Sequence, residues 1–152
     1  MFICGTLSRK LQLKLALPGH DIAVFSATPE IEGEPFRLGD FDKVRQGDTI
    51  LYLGYDTRRS STHPVSVFSL ATVQPKGQMT NEGVKVDALQ FRGDAIPGYS
   101  GGAVYTTNME IVALITKSGP DRVNLAFSIA PILESNKMRP NPIVKSNLPS
   151  KN

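Results

Sequence analysis

The stretch that decides the fold runs from Ala95 to Thr116 and reads AIPGYSGGAVYTTNMEIVALIT. A Pro-Gly turn leads to Ser100, two further glycines follow, and a polar turn then separates two short apolar runs. A serine at a glycine-framed corner of a β-structure can present its hydroxyl outward, and its own N–H and that of Gly98 can form a donor pair for a developing oxyanion. The same pattern is also typical of a β-hairpin corner that happens to contain serine. This stretch alone leaves both interpretations open.

Short strands are predicted on both sides of this stretch. Leucines alternate with polar or small residues over 11–17, which is the period of a half-buried strand, and similar runs follow along the chain. Lys76-Gly77 and residues 81–83 are expected to bracket a turn, whereas 28–48 reads as a long connection with little regular structure. About eight short strands separated by turn signals favour an all-β sandwich or barrel. The one helical turn is expected at 131–135.

Composition predicts a single globular domain. The chain has 152 residues, of which 40% are hydrophobic and 20% charged, and its net charge is +3. Much of the positive excess lies in residues 137–152, and a basic tail of this kind is more often solvated than bound to nucleic acid, so no nucleic-acid partner is expected. No apolar run approaches the roughly 20 residues that span a bilayer. The first ten residues do not read as a signal peptide, and the compartment stays unknown.

Cysteine and histidine are too sparse for a metal site or a disulfide framework. Cys4 is the only cysteine, which rules out an intrachain disulfide. The two histidines and this cysteine give no ligand spacing, so we expect no metal. The glycines lead into a strand rather than a helix, which argues against a phosphate-binding loop, and no cofactor is expected.

Candidates for acid–base chemistry are few. A neutral serine hydroxyl is a poor nucleophile near pH 7, so Ser100 needs a base and an orienting acid. Asp21 stands directly before an apolar run, where a carboxylate can be partly buried at a barrel edge, although turn chemistry is the ordinary role of such an aspartate. His20 is adjacent, and neighbouring side chains of a strand point to opposite faces, which argues against a pair of these two residues aimed at Ser100. His63 lies in a Ser/Thr-rich loop and is expected to face solvent.

Four segments, in order along the chain, resemble the trypsin-like (chymotrypsin-fold) serine protease domain, nearest to the bacterial HtrA-type members. HDIAVF at 20–25 resembles the family's Asp-Leu-Ala-Val-Leu segment, which holds the catalytic aspartate. FRLGDFDKVRQGDTILYLGY at 36–55 resembles the segment that joins the two barrels. PGYSGG at 97–102 resembles the nucleophile loop, with the following strand at 110–116. AFSIA at 126–130 resembles the strand that walls the substrate cleft.

The resemblance implies a trypsin-like double β-barrel whose first barrel is incomplete and whose second is largely whole. It implies Ser100 as the nucleophile, Asp21 as the acid that orients the base, and the N–H groups of Gly98 and Ser100 as the oxyanion hole. The substrate-binding residues that it implies are Asp94, Ala126, Phe127 and Ser128. Asp94 lies six positions before Ser100, where trypsin has its pocket-base acid, which suggests Lys or Arg selectivity. The implied reaction is acyl transfer on a polypeptide, by way of an acyl-enzyme that water then hydrolyses.

The chain also departs from the family pattern. The family's histidine lies well upstream of the aspartate, and none of the 20 residues before Asp21 supplies that segment. We therefore expect a chain shortened at its N-terminus that lacks the general base, with several powers of ten lost in rate. Tyr99 stands where activated digestive proteases place an aspartate, so zymogen-style activation is not indicated.

The expected organisation is a peptidase domain at 1–136 and a basic, disordered tail at 137–152. Residues 1–35 would form the partial first barrel, and 36–136 the linker and second barrel. Two other functions stay open: a non-catalytic homologue that binds peptides or protein partners, and a basic protein that binds surfaces through its tail. An incomplete barrel exposes apolar strand edges, so self-association is expected.

Overall fold

A computed structural model describes residues 2–4, 7–56, 65–94 and 98–135, and these residues form two β-sheets. The strands are β1 (Phe2–Cys4), β2 (Leu7–Leu17), β3 (Ile22–Thr28), β4 (Arg37–Leu38), β5 (Thr49–Asp56), β6 (Val65–Asn81), β7 (Val84–Arg92), β8 (Ala103–Thr106), β9 (Glu110–Ser118) and β10 (Val123–Ser128). Three 3₁₀ turns lie at Pro18–His20, Phe41–Lys43 and Pro120–Arg122, and a short helix, α1, spans Ala130–Glu134.

Six of the strands close into an antiparallel barrel. The order is β5–β6–β7–β10–β9–β8, and β8 pairs again with β5, so the ring has no free edge. The two-residue strand β4 joins the outside of the ring by parallel pairing with β9. Closure satisfies the edge hydrogen bonds that an open sheet leaves unpaired, which explains how short strands build a stable unit.

The barrel is filled because its strands alternate between inward apolar and outward side chains. On β5, Ile50 and Tyr52 are each 1% exposed, whereas Tyr55 is 49% exposed. Tyr52 packs against Phe91 of β7, with ring centroids 4.9 Å apart. Fourteen buried residues form this core, and they are Phe41, Val44, Ile50, Tyr52, Ala71, Val73, Leu89, Phe91, Tyr99, Val104, Val112, Ala113, Ile115 and Ala126.

A separate three-stranded antiparallel sheet, in the order β1–β2–β3, precedes the barrel in the chain. Its apolar side chains are much less buried, since Leu11, Leu13 and Phe25 are 41%, 53% and 50% exposed. Ile22 is the exception, at 5%. It packs with Ile129 and Ile132 in a small second core, to which partly buried residues of β2, β3 and β9 add. This second core fixes the start of β3 against the barrel.

The predicted all-β fold is confirmed: a closed barrel stands beside a smaller sheet at the position expected for the partial first barrel. The helical turn near 131–135 is also confirmed, as α1. The domain boundaries stay a prediction, and residues 137–152 lie outside the described residues.

Two sequence expectations about the strands were wrong. Lys76-Gly77 does not bound the expected turn: β6 runs continuously to Asn81, Gly77 pairs with Ala88, and the turn is confined to Glu82 and Gly83. Pro75, which has no N–H to donate, falls within a register shift between Val73 and Lys76, so the strand accommodates it without ending. The structure also has more strands than expected. The additional strands β1 and β4 contain only three and two residues, which is too few for an alternation of apolar and polar residues to be recognised.

Candidate active site

The loop that carries Ser100 is anchored by the residue before it. Tyr99 is 3% exposed, and its ring lies over Gly54 of β5, where an added Cβ would come within 2.2 Å of the ring. The N–H of Gly102 donates to the Tyr99 carbonyl at 2.8 Å, and the N–H of Gly101 donates to the Ile115 carbonyl at 2.7 Å. The buried ring and these two hydrogen bonds fix the corner and leave Ser100 exposed at its tip.

The Ser100 hydroxyl points toward β9. Its Oγ donates to the Thr116 carbonyl oxygen at 3.3 Å. Thr116 Oγ1 lies in the same region and is buried without a hydrogen-bond partner among the described residues. The nucleophile candidate is therefore bound to the backbone here, beside a hydroxyl whose hydrogen-bonding capacity is unused.

The two amides predicted as oxyanion donors lie on the same corner. Gly98 has a φ of 106°, in the region that glycine adopts without steric cost. Within the described part of the chain, no backbone carbonyl accepts the N–H of Gly98 or of Ser100.

Asp21 and His20 lie on a turn, not on a strand. Pro18–His20 is a 3₁₀ turn, and Asp21 ends it in the left-handed conformation, with φ 54° and ψ 40° and its N–H donating to the Pro18 carbonyl at 2.9 Å. We call Pro18 to Asp21 the 18–21 turn. The expectation that these two side chains point to opposite faces was based on strand geometry, which does not apply here. His20 is half-buried and Asp21 is exposed.

The β6–β7 hairpin holds the 18–21 turn against the barrel. Gly19 is buried, and a Cβ added there would lie 2.3 Å from a Val84 methyl. Asn81 Nδ2 donates to the Gly19 carbonyl at 3.0 Å. Because Ile22 follows directly in the second core, the turn is fixed both on its hairpin side and at the strand that it enters.

His20, Asp21 and Ser100 line one cavity of about 260 Å³. Its other walls include Leu114, Ile115, Thr116 and Phe127. Sequence reasoning placed Asp21 and Ser100 in one site but set His20 aside. A proline and a glycine before His20 were the signal that it lies in a turn. His63 lies outside the described residues.

A larger cavity, of about 350 Å³, lies elsewhere, between the 36–48 connection and the β8–β9 hairpin. It contains the carboxylates of Asp40, Asp48 and Glu110 but no histidine or serine. We favour the smaller cavity as the site because it combines an exposed serine on a glycine-containing loop with an imidazole and a carboxylate.

The four residues predicted to bind substrate do not all line the cavity. Phe127 lines the cavity, and Ala126 and Phe127 are buried on β10. Ser128 is 2% exposed, and its Oγ accepts a hydrogen bond at 3.1 Å from the N–H of Ala130, the first residue of α1. Asp94 does not line the cavity but forms an exposed ion pair with Arg122, with 3.1 Å between Oδ1 and Nε.

The described ranges contain neither a metal-binding cluster nor a helix that could span a membrane. No group of three or more His, Cys, Asp or Glu side chains there could hold a metal ion. Likewise, no helix among those residues has the length and hydropathy to cross a membrane.

Solved structures share the fold at low sequence identity. The Rv3671c protease from M. tuberculosis in its active form superposes with a TM-score of 0.71 at 16% identity, over 86% of this chain and 59% of that one. Its inactive form gives 0.66 at 14% identity, over 81% and 63%. The MamO protease domain from Magnetospirillum magneticum in its apo form gives 0.58 at 17%, over 81% and 65%. The chain thus spans about three fifths of the length of the solved chains that it matches.

The family model for the trypsin-like peptidase domain matches residues 8–114. Among curated proteins, no relative matches this chain. The matched residues include the 18–21 turn, the connection to the barrel and the Ser100 loop. Because the model covers more than half of the sequence, the chain belongs to the trypsin-like peptidase domain family.

Proposed function

We propose that this protein is a serine endopeptidase that hydrolyses polypeptides through an acyl-enzyme at Ser100. Asp21 is the acid that orients the base, and the N–H groups of Gly98 and Ser100 hold the oxyanion. Residues 1–136 are the peptidase unit in this proposal, and 137–152 a basic tail outside it. Phe127 forms one wall of the substrate cleft, with Ala126 and Ser128 behind it. HtrA-type members stay the nearest relatives predicted from the sequence.

One observation carries the proposal: Ser100 from the barrel and Asp21 from the smaller sheet line a single cavity. They lie far apart in the sequence, and neither the barrel nor the smaller sheet contains both. A carboxylate and an exposed serine hydroxyl facing one cavity, with two N–H groups on the serine loop, would supply the acid, the nucleophile and the oxyanion donors of acyl transfer.

The ion pair of Asp94 weakens the sequence-based expectation about substrate preference. Selectivity for Lys or Arg requires a carboxylate at the base of a pocket that is free to meet the substrate cation. Asp94 is exposed and meets Arg122 instead. We therefore propose a polypeptide substrate without a preference for basic residues set by Asp94.

A non-catalytic homologue that binds peptides is the second candidate. The hydrogen bond from Ser100 Oγ to the Thr116 carbonyl favours it, because a hydroxyl held by a backbone carbonyl is not being activated by a base. In this case the cavity would retain a peptide without cleaving it.

Labelling with a fluorophosphonate, read by intact mass, distinguishes the two candidates. An endopeptidase site should form one covalent adduct, which should be lost in Ser100→Ala and kept in Ser118→Ala, a matched exposed serine on β9. Folded protein that forms no adduct but binds a peptide with equal affinity before and after Ser100→Ala would overturn the enzyme assignment in favour of the homologue.

We also propose that the chain self-associates through the smaller sheet. Leu13 and Phe25 are each at least half exposed. Burial of this apolar surface against a second copy of the chain would remove it from water. Sedimentation at increasing protein concentration should show a rising mean mass, and Leu13→Lys should reduce it. A monodisperse monomer that melts cooperatively at all concentrations would contradict this proposal.

A further inference from the structure

We propose that Asn124 is a positioning residue for Ser100, a role that rests on the proposed function of that serine. Asn124 lies on β10, where its side chain is fully buried, and it does not line the cavity of the candidate site. It acts on the segment that leads from the end of β7 to the nucleophile, residues 93–100, which we call the 93–100 segment. This role is the same whichever group accepts the Ser100 proton.

The side-chain amide of Asn124 joins two parts of the chain at one end of the barrel. Its Nδ2 donates to the Gly93 carbonyl at 2.9 Å and to the Arg122 carbonyl at 3.1 Å. The N–H of Gly93 also donates to the Arg122 carbonyl, at 3.0 Å. The carbonyl and the N–H of Gly93 are therefore both bound directly after β7, which ends at Arg92.

The orientation of this amide follows from its two acceptors. Both are carbonyl oxygens, which only the NH₂ group of Asn124 can meet, so the amide oxygen points away from them. That oxygen, Oδ1, is buried without a hydrogen-bond partner among the described residues. Its burial has a cost in free energy, which the hydrogen bonds to Gly93 and Arg122 offset.

Tyr52 connects Gly93 to the serine loop. A Cβ added at Gly93 would lie 2.6 Å from the Tyr52 hydroxyl, so the backbone there lies close to the tip of that buried side chain. The Tyr52 ring packs in turn against the Tyr99 ring, with centroids 6.2 Å apart. Tyr99 directly precedes Ser100. Both ends of the 93–100 segment therefore lie against the same side chain.

Different groups hold the two sides of this segment. After Ser100, the N–H groups of Gly101 and Gly102 are bound to backbone carbonyls. Before it, the hydrogen bonds of Gly93 fix the point from which the chain departs. Gly98, one of the two proposed oxyanion donors, lies between these anchors, so its position depends on both. A displaced donor stabilises a developing oxyanion less well, which lowers the rate of reaction more than it weakens binding.

The ion pair beside these hydrogen bonds is a weaker constraint. Arg122 Nε and Asp94 Oδ1 are 3.1 Å apart, but both side chains are 72% exposed, and water screens such a pair. Arg122 has a φ of 61°, which glycine adopts without steric cost. Arg122→Gly therefore removes the ion pair while it keeps the carbonyl that Gly93 and Asn124 bind.

The test is the kinetics of fluorophosphonate labelling of Ser100 over a range of reagent concentrations. Asn124→Ala removes both donated hydrogen bonds and should lower the rate at saturating reagent about 10-fold, with little change in the half-saturating concentration. Asn124→Asp, which keeps the shape but lacks the NH₂ group, should also be slow. Arg122→Gly should label as the wild type does. Val44→Ala, at a buried core position in the 36–48 connection, controls for lowered stability and should keep the wild-type rate while it is folded.

The outcomes separate the role of Asn124 from the reactivity of Ser100. An unchanged saturated rate in folded Asn124→Ala would overturn the positioning role and leave the nucleophile in place. Equal slowing in Val44→Ala would overturn it as well, because the loss would then follow from destabilisation of the barrel. Folded wild-type protein that forms no adduct would remove the enzyme function and this role with it.

A second variant tests the same contact if Asn124→Ala does not fold, as circular dichroism would show. Gly93→Ala places a Cβ against the Tyr52 hydroxyl and displaces the backbone that Asn124 holds, so it should also slow labelling at saturation. Gly77→Ala is its matched control, because a Cβ there meets no atom within 4 Å. Wild-type kinetics in folded Gly93→Ala would overturn the proposal.

Discussion

The six-stranded barrel and the three-stranded sheet are stabilised in different ways. The barrel closes on itself and buries aromatic and aliphatic side chains almost completely, as at Phe91 and Tyr52. The smaller sheet leaves Leu11, Leu13 and Phe25 largely exposed, and its firmest contacts with the barrel are at Ile22 and the 18–21 turn. The barrel is stabilised by its own core, whereas the smaller sheet depends on its contacts with the barrel.

This contrast matters because the candidate site is divided between the two units. Ser100 and its N–H donors belong to the barrel, and His20 and Asp21 belong to the turn at the end of the docked sheet. The position of the nucleophile should therefore survive changes that loosen the sheet, whereas the position of the proposed acid should not.

The largest difference between the barrel and the smaller sheet should appear in the free energy of unfolding. Phe91→Ala removes a fully buried ring from the barrel core and should lower the free energy of unfolding by about 3–5 kcal/mol. Leu13→Ala, at a side chain that is 53% exposed, should change it by no more than about 0.5 kcal/mol. Urea denaturation followed by circular dichroism measures both. Equal losses would show that the sheet is packed as firmly as the barrel.

One methyl group added at Gly19 should weaken the contact between the 18–21 turn and the β6–β7 hairpin. Gly19→Ala places a Cβ against Val84, and relief of this overlap should cost about 1–3 kcal/mol and speed amide exchange at Asp21. Gly77→Ala is the matched control, because a Cβ there meets no atom within 4 Å. Amide hydrogen exchange with urea denaturation provides the measurement. Unchanged protection of the Asp21 amide in Gly19→Ala would contradict the proposed clamp.

A smaller effect is expected from the hydrogen bond that holds the turn. Asn81→Ala removes the donor to the Gly19 carbonyl and should cost about 1 kcal/mol. It should also slow labelling of Ser100 more than the stability loss alone explains, because the 18–21 turn that carries the proposed acid Asp21 is then less well fixed. Gln78→Ala, at an exposed position of the same strand, should change neither quantity. Identical labelling rates in the two variants would show that the hydrogen bond to the 18–21 turn does not affect the reactivity of Ser100.

The smallest effect concerns a tyrosine on the barrel. Burial, and then the neighbouring Tyr55, raise the pKa of Tyr105 above its ordinary value of 10.0. The folded state thus holds this proton more tightly than the unfolded state, so the stabilisation is present below pH 10 and is lost as the pH rises through the folded pKa. As the pH rises above 10, the wild type should lose stability more steeply than Tyr105→Phe. Parallel profiles would exclude this contribution.

Much of this molecule follows from patterns in the chain. Alternation of apolar residues predicts strands such as β5 and β7, and the PGYSGG corner with HDIAVF predicts two residues, Ser100 and Asp21, that line one cavity. Strand period could not reveal the left-handed bend at Asp21, because a turn of four residues has no periodicity. Nor could it show that β6 continues past Pro75, or that Asp94 is paired with Arg122, since both depend on the partner strand or loop.

The most direct test is side-chain NMR of the two histidines before and after Ser100 is phosphonylated, with signals assigned from His20→Gln and His63→Gln. A site shared by the barrel and the 18–21 turn predicts that the adduct shifts the His20 ring signals and leaves those of His63 in place. Unchanged His20 signals in protein that carries the adduct on Ser100, or failure of the folded protein to form it, would contradict a shared site.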